Sequence, residues 1–216
     1  NVSSNNNLDT LTLTGLTTIG EGFGLSSNSD IEQLEMPSLL ELGSGFNVSS
    51  NSSLETISLP SFTEAGSSVS IENNYALDEI LMPALEETNG SFYVRENSAL
   101  TTIDASNLQT ISGQLYVYQN YDLETAHFTA LTEINSSLNV QYNYALTFID
   151  LSSVTEVKGS VEFYENDDLL QIDLPALTEV DSSFYIYGND SITTLSAPLL
   201  ASLGGSLTIQ FNEDLS

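Results

Sequence analysis

The chain has 216 residues, of which two are basic and thirty acidic, for a net charge of −28, and 40% are hydrophobic. That apolar share suffices for one domain with a sizeable core, whereas Arg95 and Lys158 cannot neutralise a run of phosphates, which argues against a nucleic-acid partner. The absence of cysteine excludes disulfides and thiolate chemistry, and no stretch approaches the ~18 apolar residues of a membrane span, so direct membrane insertion is not expected.

Without insertion or deletion the chain divides into nine 23-residue units, starting at residues 1, 24, 47, 70, 93, 116, 139, 162 and 185, with a partial tenth from 208. Residues 1–216 are therefore read as one repeat domain, expected to be part of a longer chain or assembly. Within a unit, an F-x-V segment runs from position 23 into position 2 of the next unit, as in Phe46-Asn47-Val48. Position 5 is asparagine every time: Asn5, Asn28, Asn51, Asn74, Asn97, Asn120, Asn143, Asn166, Asn189 and Asn212. Leu or Ile follows at position 8 and opens an L-x-x-I-x-L segment to position 13. All five prolines (Pro37, Pro60, Pro83, Pro175, Pro198) then fall at position 14. An L-x-E-I segment covers positions 16 to 19, and ten of the thirteen glycines lie at positions 20 to 22.

Proline and glycine break each unit at the same places, so helices of ten or more residues have no room. The expectation is an all-β fold, a right-handed β-solenoid of nine coils and a partial tenth, one coil per unit. With coils ~4.8 Å apart it would form a rod roughly 45 Å long, its apolar columns turned inward. Asparagine at position 5 follows an inward residue where the chain leaves its strand. An amide both donates and accepts, so it can satisfy turn backbone groups and bond the same residue in adjacent coils, forming an internal ladder.

The pattern F/L-x-V-x-x-N-x-x-L-x-x-I-x-L-P-x-L-x-E-I-x-x-S resembles the receptor L-domain repeats over the whole chain. These occur in insulin- and epidermal-growth-factor-type receptors and in fungal GPI-anchored cell-wall proteins of the Ecm/Sps type. Leucine-rich repeats share the asparagine ladder. The resemblance implies a solenoid, and its functional range runs from receptors to wall proteins and adhesins.

Three surface features qualify as candidate sites. Glu41, Glu64, Glu87, Glu133, Glu156 and Glu179 recur at position 18, with Thr110 interrupting them. Such a column either keeps a sheet edge from pairing or lets a hard cation such as Ca2+ bridge two rungs. Positions 1 and 3 flank an inward residue and so turn outward. In later units they hold Tyr93, Tyr116, Tyr118, Tyr164, Tyr185 and Tyr187, with Arg95 alongside, a candidate surface for a glycan or protein ligand. Asn47, Asn89 and Asn135 begin N-x-S sequons and are candidate glycan acceptors, unlike the ladder residues Asn51 and Asn189, whose amides should face inward.

Catalytic chemistry has little material. His127 is the single histidine, Asp150 and Asp173 share position 12, and Asp167–Asp168 are adjacent, but no basic group accompanies them. No enzyme activity and no obligatory cofactor are expected. Neither end carries a distinctive cap, so association end to end with neighbouring segments or copies is expected. The overall expectation is a non-catalytic extracellular or cell-surface structural protein of a wall, appendage or fibre. The alternative is a binding module acting through its tyrosines, with an ice-binding face, suggested by threonines at positions 10 and 17, ranked below both.

Overall fold

The computed structural model describes residues 1–215. Among them every regular element is a short β-strand, and every strand pairing is parallel between residues 23 apart, as in Val69↔Phe92 and Ile71↔Val94. The chain is a β-solenoid of about nine turns.

Each coil contributes three strands. The longest spans positions 23 to 3, as in Phe46–Ser49, and builds a ten-stranded face. The second spans positions 10 to 12, as in Thr56–Ser58, and the third positions 18 and 19, as in Glu64–Ala65, in a nine-stranded face. The second and third strands are shorter than the apolar spacing predicts. Positions 8 and 16 lie in turns, where Leu54 N–H donates to Asn51 O and Phe62 N–H to Leu59 O. Proline at position 14 is the second residue of the latter turn, where its fixed φ suits the bend.

The core is a stack of apolar rungs. In the third coil Val48, Leu54, Ile57, Leu59, Phe62, Ala65 and Val69 are all fully buried. Phenylalanines fill the wider places, with Phe23 on Phe46 at 5.5 Å between ring centroids and Phe92 edge-on to Phe128 at 5.7 Å. Small residues at positions 20 to 22 allow backbones to approach. A Cβ on Gly66 would come within 2.6 Å of the Gly43 carbonyl carbon.

Position 4 has left-handed backbone in every coil, with φ between 51° and 58° at nine non-glycine residues and 66° at Gly188. That reversal ends the first strand and swings the next residue, the asparagine, inward. Left-handed backbone costs a non-glycine residue about 1–2 kcal/mol. The buried amide network it creates offsets that cost.

The second face is split. Its first seven strands end with Phe148–Asp150, while Gln171–Asp173 pairs only onward, with Thr194–Ser196. A cleft of about 260 Å3 opens between them, lined by Phe148, Asp150, Gln171 and Asp173 among others. Asp150 and Asp173 hold the same position in consecutive coils, and like charges placed opposite each other destabilise strand pairing. Asp150 turns instead to its own turn and the preceding coil, accepting from Ser152 N at 3.1 Å and Thr129 Oγ1 at 2.9 Å.

Candidate functional site

The asparagine column forms one continuous hydrogen-bonded ladder. At Asn51, Oδ1 accepts from Asn28 N at 3.1 Å and from Asn28 Nδ2 at 3.2 Å. Its own Nδ2 donates to Leu25 O, Ser49 O and Asn74 Oδ1. Asn28 to Asn189 are all fully buried, so this polar column lies inside the rod. A second ladder escapes a sequence reading centred on asparagine. At position 22, Ser68 Oγ accepts from Ser91 N, Ser91 Oγ from Gln114 N, Ser137 Oγ from Ser160 N and Ser183 Oγ from Ser206 N. Its signal is in the sequence, since serine recurs at that position from Ser68 to Ser206.

The tyrosines of the first face form a strip in which rings touch from coil to coil. Tyr93 meets Tyr116 edge to face at 6.2 Å, and Tyr116 stacks on Tyr118 at 5.2 Å. Tyr118 meets Tyr142 at 5.6 Å and Tyr142 meets Tyr164 at 5.1 Å. Tyr164 stacks on Tyr187 at 4.8 Å and 5° between planes, and Tyr187 meets Phe211 at 4.9 Å. Tyr142 and Phe211 enter from position 4. Strand alternation does not point to them, because the left-handed turn redirects that side chain towards the strip. Tyr185, grouped with the strip by sequence, stands in register between Glu162 and Thr208 and is exposed.

Arg95 is not a free cation on this surface. It is paired with Glu72 in the preceding coil, its Nε 2.6 Å from Oε2. Burial pushes the Tyr116 hydroxyl above the usual phenol value, with Tyr118 adding to it. A hydrogen bond with Tyr142, then burial, does the same at Tyr164. Glu162 lies beside these rings, and burial raises its pKa although Gln141 Nε2 donates to it at 3.0 Å. The strip is thus amphipathic, with phenol rims and hydroxyls outward and much of the ring surface packed ring on ring.

On the third face the register sets Glu41, Glu64 and Glu87 in one run and Glu133, Glu156 and Glu179 in another. Thr110 separates them by pairing with Glu87 on one side and Glu133 on the other. Among the described residues, Glu156, Glu179 and Asp181 bring three carboxylates within 4.8 Å of one another. Lys158 already bonds Glu156, and that contact raises the lysine pKa. Oxygen-only donors suit Ca2+ rather than a softer metal.

The sequon residues Asn47, Asn89 and Asn135 are exposed, and Asn89 Nδ2 donates to Glu64 Oε1 at 2.9 Å. Asn51 and Asn189 are fully buried in the ladder. His127 is half-buried, 5.9 Å from the Phe148 ring and in register with Asp104 and Asp150. Hydrogen bonds from Ser152 and Thr129, with the nearby His127, hold Asp150 below the usual carboxylate range despite the opposing effect of burial. Position-17 threonines donate back to the preceding coil, as Thr155 Oγ1 does to Thr132 O and Thr178 Oγ1 to Thr155 O.

Comparisons with protein-family models, with curated proteins and with solved structures find no match to this chain.

Proposed function

We propose that this chain is a non-catalytic structural module of an extracellular or cell-surface assembly such as a wall, appendage or fibre. In this reading it is a stiff acidic rod that makes lateral contacts through its aromatic strip. The observation that carries the proposal is the strip itself, seven rings in unbroken contact from Tyr93 to Phe211 along one face. A row fixed by backbone pairing is preorganised, so a long partner can lie on it without ordering flexible loops. Phenol rims offer apolar contact and hydroxyls at once, which suits a glycan or a protein face. The repeat's resemblance to receptor L-domain and fungal wall proteins supports the same setting, as do exposed sequons at Asn47, Asn89 and Asn135. Neighbouring solenoid segments stacked end to end would continue the asparagine ladder, which runs from Asn5 to Asn212.

A second reading, a binding module that recognises a soluble glycan or protein, rests on the same strip. The experiment compares the parent chain with the triple variant Tyr116→Ser, Tyr118→Ser, Tyr187→Ser. Light scattering and negative-stain microscopy over a concentration range report assembly, and a panel of immobilised wall polysaccharides reports ligand binding. Assembly or retention by the parent, lost in a variant that keeps its β circular dichroism, is the expected result. Equal behaviour of the two proteins in both assays would sink the proposal.

A further inference from the structure

Beside the strip, the turn face formed by positions 4 and 6 holds a second feature. Tyr75, Ser98, Tyr121 and Tyr144 occupy position 6 of four consecutive coils. Tyr121 and Tyr144 stack at 5.4 Å with 8° between planes, so one face of Tyr121 is covered by its neighbour in the next coil. Its other face looks back to the preceding coil, where the small Ser98 stands in place of a ring. Beyond Ser98 the column resumes with Tyr75, whose hydroxyl donates to Asn73 Oδ1 at 3.2 Å. The missing ring leaves a notch of about 140 Å3 lined by Tyr75, Glu96, Ser98, Gln119 and Tyr121.

We infer that this notch receives a cationic side chain, an arginine, from a partner protein. Three properties of the notch converge on that chemistry. The uncovered face of Tyr121 is the negative face of a ring quadrupole. Two rungs separate the tyrosine positions, so a cation midway lies about 4.8 Å from each, inside the ~6 Å range of cation–π attraction. Glu96 supplies a carboxylate in the same notch, and Gln119 an amide. A guanidinium stacks on an aromatic plane while its N–H fork meets a carboxylate, which an ammonium cannot do as well.

The occupant comes from outside the chain. Arg95 is held by Glu72 and Lys158 by Glu156, and these are the chain's two basic residues. The thirty acidic residues give a basic partner a favourable field on approach, with the notch fixing where one side chain lodges. This site is separate from the aromatic strip, whose triple variant leaves all five notch residues in place.

The probe is the peptide acetyl-Gly-Arg-Gly-amide, with its citrulline counterpart as the uncharged control of the same shape. Tyrosine ring resonances are followed by NMR during titration of the intact protein. The expected result is saturable shifts at Tyr121 and Tyr75 with the arginine peptide and none with citrulline. Ser98→Tyr fills the notch without changing net charge and should weaken binding at least tenfold. That position already accepts tyrosine in three neighbouring coils, so the fold tolerates it. Glu96→Gln should weaken binding several-fold, and Tyr121→Leu provides an independent loss of the ring. Shifts scattered over the acidic faces without saturation, or equal affinity of the Ser98→Tyr variant, would overturn the inference.

Discussion

Asn143 Oδ1 accepts two hydrogen bonds from Asn120, one from its backbone N at 3.1 Å and one from its Nδ2 at 3.2 Å. This two-into-one contact repeats at each rung and makes the ladder directional, with donors facing the following coil. Asn120 in turn accepts from Asn97 N and Nδ2 and donates to Val94 O. Removing its amide strands several buried groups at once, and each costs roughly 1–3 kcal/mol. Asn120→Ala should therefore lower stability by about 3–5 kcal/mol in chemical denaturation. Asn5→Ala, on an exposed rung, should lower it by about 1 kcal/mol. Equal losses at the two sites would show that burial is not what gives the ladder its strength.

The left-handed position 4 predicts substitutions of opposite sign. Ser50 sits at φ 57°, so Ser50→Gly relieves strain that exceeds the entropy glycine adds to the unfolded chain. A gain of about 0.5 kcal/mol is expected. Gly188 sits at φ 66°, and an added Cβ would also lie 2.9 Å from Glu165 Oε1. Gly188→Ala should cost about 1–2 kcal/mol. Denaturation midpoints of the two variants check both signs, and a stabilising Gly188→Ala would contradict the assignment.

Stability should rise as the solution is acidified from neutrality, then fall. Burial raises the pKa of Glu162 above its ordinary 4.5. Burial and neighbouring aspartates do the same at Glu165, and at Asp167 above its ordinary 3.8. These groups bind protons in the folded chain before they do in the unfolded one, so falling pH stabilises through that window. Relief of the −28 self-repulsion has the same sign. Asp150 is depressed, and its contribution is complete above 3.8 and disappears as pH falls through its lower folded value. Melting temperature at constant ionic strength should thus climb from pH 7 to roughly 4.5 and decline below 3.8. The double variant Glu162→Gln, Asp167→Asn should flatten the climb, and a steady fall from pH 7 to 5 would refute it.

For the acidic third face, the contact between Lys158 and Glu156 sets the expectation. A half-buried carboxylate already neutralised by its own lysine gains little from a bridging ion. Millimolar CaCl2 should raise the melting temperature no more than NaCl at equal ionic strength, through screening alone. A Ca2+-specific rise abolished by Glu179→Gln would instead establish bridging across Glu156, Glu179 and Asp181.

Particular residues mark how far the sequence reaches. Asn51 is identifiable as a ladder residue because an amide returning every 23 residues among apolar columns has one economical place, the inside of a turn. Tyr116 and Tyr118 are assigned to the outer surface by alternation around Val117, and both lie on the strip. Tyr142 is not legible in that way, since its placement depends on a left-handed φ that no residue type at position 4 announces: serine, glutamate, glutamine and tyrosine all adopt it. The pairing of Arg95 with Glu72, by contrast, is contained in the period, since both hold position 3 of consecutive coils, although alternation alone groups Arg95 with the tyrosines.

The 23-residue period by itself determined the coil, the inward columns and the polar ladder, because a solenoid's interior is a local pattern repeated and each residue's neighbours are its own counterparts. Tertiary structure alone decided what differs from coil to coil. The strip from Tyr93 to Phe211, the notch over Ser98 and the split between Asp150 and Asp173 each depend on which side chains meet across particular rungs. Their geometry follows from side-chain directions and repulsions set by packing, on which a repeat pattern is silent.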